Sequence, residues 1–182
     1  MCLVADITAF MDDMEVEHVI RMTAADDVTW SATDTWTQVT FDPDGERLEV
    51  DPARLECPIE VDDFTVRWSC GDTYLDRHDV HLPVNGLVKL ALDAAACGAM
   101  GDAWGCSWDA AMDELCAGLD PFLAAACEEI VDALVIPDPC FEVNTMTLAG
   151  TAEPAGADAL VGDWAGTLDG EDFTGTFEAA RR

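Results

Sequence analysis

The stretch Leu160-Val161-Gly162-Asp163-Trp164-Ala165-Gly166-Thr167-Leu168-Asp169-Gly170-Glu171-Asp172-Phe173-Thr174-Gly175-Thr176-Phe177-Glu178 reads as a β-hairpin. With Gly170-Glu171 at a two-residue turn, glycine first as a type II′ turn requires, Leu168 faces Phe173, Gly166 faces Gly175 and Trp164 faces Phe177. One face then alternates aromatic residues with glycine, and the other carries Thr167, Thr174, Thr176 and Glu178. Aromatic rings cover the glycines of strongly curved sheets. The hairpin therefore predicts the closing element of a curved antiparallel sheet or partial barrel. If that sheet encloses an apolar cavity, as lipocalin-like barrels do, Trp164, Leu168, Phe173 and Phe177 are the candidate ligand face; ordinary core packing is the competing expectation.

Upstream, period-two patterns dominate. Val16, Ile20 and Met22 alternate with polar neighbours in a strand whose apolar face His18 weakens. Strands are expected over Trp36 to Phe41 and Glu46 to Val50, joined by Asp42-Pro43-Asp44-Gly45, with proline and glycine at the turn positions that favour them. The same residues do not make an EF-hand, because Arg47 and Ala53 stand where glycine and a bidentate glutamate belong. Leu55 to Val61 and Phe64 to Cys70 each have one apolar face and flank Asp62-Asp63. A four-residue loop sets Cys57 opposite Cys70 at disulfide range, so a Cys57–Cys70 bridge is expected. Tyr74 to Leu82 reads as another strand. Leu3, Ile7, Phe10, Met11 and Met14 have helical spacing and predict a short N-terminal helix.

Pro83 ends the strand pattern. Leu87 to Cys97 reads as a buried helix stopped by Gly98, and Ser107 caps a helix from Trp108 to Ala117 that Gly118 ends, with Trp108, Met112, Leu115 and Cys116 inside. Asp120-Pro121 starts a third helix with Phe122, Ala126, Cys127, Ile130 and Leu134 as its stripe. Strand returns at Cys140 to Leu148, and Gly150 to Ala159 reads as a surface loop. The expectation is one α+β domain over 1–182: strands over 1–82 after the short helix, a cysteine-rich helical block over 83–136 inserted between strands, and strands over 137–182.

Thirty-eight acids face eight bases, for a formal charge of −30, and Lys89 is the one lysine. Nucleic acid and anionic membranes are disfavoured partners, since both need clustered Lys and Arg. Self-repulsion at this charge is relieved by salt or by divalent cations as counterions, which fits a saline setting; no cofactor is expected. Eight cysteines without a CxxC pair, with the cluster from Cys97 to Cys127 far in sequence from the three histidines, fit disulfides of an oxidising compartment better than a zinc site. Four of them (Cys97, Cys106, Cys116, Cys127) fall in the helical block, where three connectivities stay open; the partners of Cys2 and Cys140 are open too. Asp6, Asp12 and Asp13 interrupt any apolar leader, so an exported form is expected to have lost one, and Cys2 is a candidate lipid-anchor site as well as a disulfide partner. No run of eighteen apolar residues spans a membrane.

Among chemical constellations, His78, Asp79 and His81 supply imidazole and carboxylate for a metal, but on a strand the two imidazoles point to opposite faces. Carboxylate pairs suited to hydrolysis are too numerous to discriminate. Gly162-Asp163-Trp164-Ala165-Gly166 lacks the serine of a nucleophile elbow, and Gly98 to Gly105 lacks the lysine and spacing of a phosphate cradle.

The ending Gly162-Asp163-Trp164-Ala165-Gly166 followed by Phe173-Thr174-Gly175-Thr176-Phe177 and Arg181 resembles the G-x-W-x-G...F-x-G-x-F-x-x-x-R ending of uncharacterised cysteine-rich exported lipoproteins of myxobacterium-like bacteria. That resemblance implies export and no activity. The expected function is a non-enzymatic binding or surface-interaction protein, extracellular or periplasmic and outer-membrane-associated. A carrier of a small hydrophobic ligand is the second reading and a carboxylate-based hydrolase the third.

Overall fold

The computed structural model describes residues 2–11, 14–42, 47–69, 71–100, 107–120, 123, 127, 140 and 143–182. Among them run β1 (Cys2–Met11), β2 (Met14–Ala24), β3 (Thr29–Phe41), β4 (Leu48–Val50), β5 (Glu60–Val61), β6 (Phe64–Ser69), β7 (Asp72–Pro83), α1 (Val84–Met100), α2 (Trp108–Ala117), β8 (Val143–Pro154), β9 (Ala159–Leu168) and β10 (Glu171–Arg181). Eight strands pair in an antiparallel ring, β1-β2-β3-β6-β7-β8-β9-β10, which closes because β2 also pairs with β3 and β10 with β1. The barrel is therefore closed rather than curved or partial, and β1, β2, β8, β9 and β10 each have a partner strand on both sides, whereas the stretch Thr33 to Gln38 of β3 is paired with β2 alone. The helices are inserted between β7 and β8, where the sequence places them.

The N-terminal segment is a strand and not a helix. Leu3, Ile7 and Met11 lie four apart, a spacing that satisfies period two as well as a helical face. Ala5, Ile7, Ala9 and Met11 are buried in alternation, while Phe10, which suggested the helix, points out and is 41% exposed. In β1 every backbone group between two paired neighbours is satisfied, which an isolated short helix on the barrel would not offer.

The C-terminal hairpin forms with its register moved by two residues. Its turn is Asp169-Gly170, where both residues have positive φ (52° and 87°), as a type I′ turn demands. Glu171 then faces Leu168, Phe173 faces Gly166 and Phe177 faces Gly162. An even shift keeps the same side chains inside, so the aromatic and glycine face survives. Each ring now covers a glycine directly opposite instead of another ring.

Leu55 to Cys70 is not a hairpin. A 3-10 turn at Pro52–Arg54 precedes a stretch containing Pro58, β5 pairs with β7, and β6 lies between β3 and β7. Cys57 is bonded to Cys140, with Cα atoms 5.6 Å apart, which replaces the expected Cys57–Cys70 bridge; Cys70 itself lies outside the described residues. Cys116 bonds Cys127, and Cys97 is also disulfide-bonded.

α1 begins at Val84 and continues through Gly98 instead of stopping there. Leu87 is buried, and Val84, Leu90 and Ala91 pack on the core at the end of the barrel where β7 finishes and β8 begins. The Ser107 cap is made: its Oγ accepts from the Ala110 N–H at 3.1 Å. In α2, Ala111 and Cys116 are buried, whereas Leu115 points outward. β8 runs on to Pro154, which shortens the expected loop to 155–158. The Pro43–Glu46 turn and most of the third helix lie outside the described residues.

Candidate functional site: barrel lumen and mouth

Two β-bulges decide what fills the lumen. In β3 the register with β2 shifts between Glu17 and His18, which leaves Thr37 without an opposite residue; its hydroxyl donates to the Glu17 carbonyl at 3.1 Å. In β7 the register with β8 shifts between Leu75 and His78. Strict alternation from buried Leu75 would turn His78 outward. The two intervening residues, Asp76 and Arg77, reverse the parity and send it in, as bulges commonly do beside functional positions. Val80 and Leu82 follow inward, and His81 stays on the outside, 3.3 Å from Thr145 Oγ1 and 3.7 Å from Asp62. His78 and His81 therefore point to opposite faces. Asp79 is on the outside too, its backbone carbonyl accepting from Asp62. Among the described residues no group of three or more His, Cys, Asp or Glu side chains is arranged to hold a metal ion.

The lumen centre is polar and aromatic. His18 Nδ1 lies 2.7 Å from Asp34 Oδ2, both side chains fully buried. A carboxylate accepts, so Nδ1–H donates and Nε2 presents its lone pair to the lumen in the neutral ring. His78 Nδ1 lies 3.1 Å from the Asp76 carbonyl, which fixes the same tautomer by the same logic. Rings stack in sequence across the lumen. His18 meets Trp36 at 5.1 Å and Trp164 at 6.3 Å; His78 meets Trp164 at 6.0 Å and lies flat on Phe64 at 4.1 Å. Phe177 packs on Trp164 at 4.8 Å. Trp164 and Phe177 thus fill the lumen, with Leu168 and Phe173 partly buried against the same core. Among the described residues that point inward, His18 Nε2, Asp34 Oδ1, Trp36 Nε1, Thr73 Oγ1, His78 Nε2 and Trp164 Nε1 are buried without a protein partner. Six such atoms in one lumen make it unlike a dry hydrocarbon pocket.

Burial lowers the His78 pKa below its ordinary 6.5, outweighing the Asp76 carbonyl, which raises it. The folded state then resists the proton that the unfolded chain accepts. Stability is fully present above pH 6.5 and falls as pH drops from 6.5 toward the lowered folded value. A His78→Phe variant, which keeps the stack on Phe64, is expected to flatten that acid slope in urea titrations run from pH 7.5 to 5. An unchanged slope would assign the acid sensitivity elsewhere.

At the end opposite α1 the barrel opens into a pocket of about 210 Å³ lined mostly by apolar residues, among them Leu3, Met22, Trp30 and Leu160, and by two charged ones, Asp158 and Arg181. Its lining includes Thr73, whose hydroxyl is one of the unpartnered atoms. The β2–β3 turn beside it is held by Asp26, which accepts from Val28 N and Thr29 N at 2.9 and 2.7 Å. The Val28 bond foremost keeps the Asp26 carboxyl below its usual pKa. This turn leaves Val28 54% and Trp68 45% exposed, with Trp68 N donating to the Val28 carbonyl. The hydrolase reading needs two carboxylates across a cleft; Asp34 is the one carboxylate among the described buried residues, and it is tied to His18.

His18, Asp34 and Thr73 carry the polar lumen; sequence reasoning saw His18 only as a weakness in an apolar strand face and passed over Asp34 and Thr73. Their signal was present: each polar side chain occupies an inward position of an alternating strand, flanked by Val16 and Ile20, by Ala32 and Trp36, or by Leu75. No family model, no curated protein and no solved structure matches the chain.

Proposed function

We propose that this protein is a non-catalytic binding barrel whose mouth takes a small, mostly apolar molecule carrying one hydrogen-bonding group. The observation that carries this is the mouth pocket: a mostly apolar lining with Asp158 and Arg181 as its charged members, and Thr73, whose buried hydroxyl has no protein partner, among the lining residues. About 210 Å³ is below the roughly 300–1,000 Å³ of pockets that enclose drug-sized ligands. The pocket therefore suits a compact ring or the end of a chain. Bridges Cys57–Cys140 and Cys116–Cys127 support a compartment outside the reducing cytosol, extracellular or periplasmic. β1 starts beside the mouth, so acylation of Cys2 would tether the barrel by its open end, in keeping with the lipoprotein resemblance.

Titration with N-phenyl-1-naphthylamine, a neutral fluorescent amine, tests the reading. Saturable one-to-one binding is expected. Leu160→Asp, which puts a charge into the apolar wall, should weaken it about tenfold or more. Thr73→Val, which keeps the shape and removes the hydroxyl, should weaken it about two- to tenfold. Binding that is unsaturable, or indifferent to Leu160→Asp, would remove the mouth as the site.

A further inference from the structure

The outer wall of the barrel carries a second candidate site, and strand register defines it. Tyr74 on β7 pairs with Thr151 on β8, Thr151 with Asp163 on β9, Asp163 with Thr176 on β10, and Thr176 with Phe10 on β1. These five residues form one row across five strands. All five alternate with inward-facing neighbours, and Asp163 is exposed. Two depressions in the outer surface, of about 840 and 660 Å³, meet along this row and share these same five residues. Together they make a continuous groove that crosses the row along the strand direction.

Its walls are aromatic and its floor is polar. Tyr74 and Phe10 are 39% and 41% exposed, and four strand spacings of about 4.8 Å, roughly 19 Å measured along the curved sheet, separate their backbones. Between them the first depression is floored by small or hydroxyl side chains, Ala149, Ala165 and Thr174 beside the Thr151-Asp163-Thr176 row, and the second adds Glu153, Val161 and Glu178, with Asp72 at its edge. The β7 bulge adds Arg77 at the edge, beside an Arg67–Asp76 ion pair.

Three observations select the occupant. β8, β9 and β10 are paired on both sides, so an extended peptide finds no free edge to join as a strand. A chain of charge −30 repels polyanions. The remaining chemistry is two exposed rings that take C–H faces, over hydroxyls and the carboxylates of Asp163, Glu153 and Glu178, which take O–H edges. We propose that the groove between Tyr74 and Phe10 binds a neutral oligosaccharide lying across the Thr151-Asp163-Thr176 row.

Isothermal titration of the full chain with cellotetraose, chitotetraose and maltotetraose tests the proposal. At least one should bind saturably, with an affinity unchanged by 0.5 M NaCl. The exposed pair Phe10→Ala with Tyr74→Ala should lower that affinity tenfold or more without changing the melting temperature appreciably. Asp163→Asn, which keeps the size and removes the charge, should lower it several-fold. Absence of binding by all three sugars overturns the proposal, as does binding that survives the double variant. Salt-sensitive binding of an oligolysine peptide in their place would assign the groove to cationic chains instead. Leu160→Asp in the mouth serves as the control: it should leave sugar binding intact, so that failure of the mouth site and failure of the groove are told apart.

Discussion

Replacing Gly166 by alanine is expected to destabilise the barrel by about 3 kcal/mol or more, the upper end of what overpacking usually costs. A Cβ at this position would sit 1.8 Å from the Thr147 carbonyl oxygen and 2.8 Å from the Phe173 ring. The ring can shift, but the carbonyl belongs to β8, whose ladder with β9 runs from Met146–Leu168 to Pro154–Leu160. Moving it means opening that ladder next to the lumen core, where Trp164 is 1% exposed. Gly162 is constrained in the same way, 2.2 Å from the Thr151 carbonyl and 2.6 Å from Phe177. Gly156 supplies the control. Nothing lies within 4 Å of its Cβ direction, so Gly156→Ala should change stability by no more than about 0.5 kcal/mol. Guanidinium midpoints of the two variants measure the difference directly. If Gly166→Ala unfolds at the same midpoint as Gly156→Ala, close approach of ring and strand is not what requires glycine here.

This close packing explains why the C-terminal hairpin was legible from sequence while its neighbours were not. Alternating aromatic and glycine residues are compatible with one secondary structure only, and an error of two residues in register keeps every side chain on its own face. β1 lacked such a signature: spacings of four fit both periods, and Phe10 on the outer wall imitated a helical stripe. The lumen was harder still. Whether His78 points in or out depends on a bulge at Asp76-Arg77, and bulges have no fixed sequence signature where glycine is absent. The outer row is a property of register across five strands distant in the chain, so no local pattern holds it. Cys57 was placed opposite Cys70 by the register of an expected hairpin, but its segment does not pair with β6: a 3-10 turn precedes it and Pro58 lies within it. Its partner comes from the far side of the helical insertion.

That partnership sets the second large effect. The Cys57–Cys140 bridge spans 83 residues and encloses α1 and α2, whereas Cys116–Cys127 spans 11. By the chain-entropy account the longer loop restricts the unfolded state by about 4.5 kcal/mol and the shorter by about 2.8 kcal/mol. The paired substitution Cys57→Ser with Cys140→Ser should therefore lower the free energy of unfolding by more than Cys116→Ser with Cys127→Ser, by about 1 to 2 kcal/mol. Both losses together, about 7 kcal/mol, fall in the lower half of the roughly 5–15 kcal/mol that holds a domain of ordinary stability. A reduced chain of this charge is then expected to be marginal, and the fold to depend on an oxidising compartment. Urea unfolding of the two paired variants and of the oxidised and reduced parent decides it. If the parent unfolds at the same midpoint with and without reductant, the bridges are accessory, and the case for export that rests on them falls with that result.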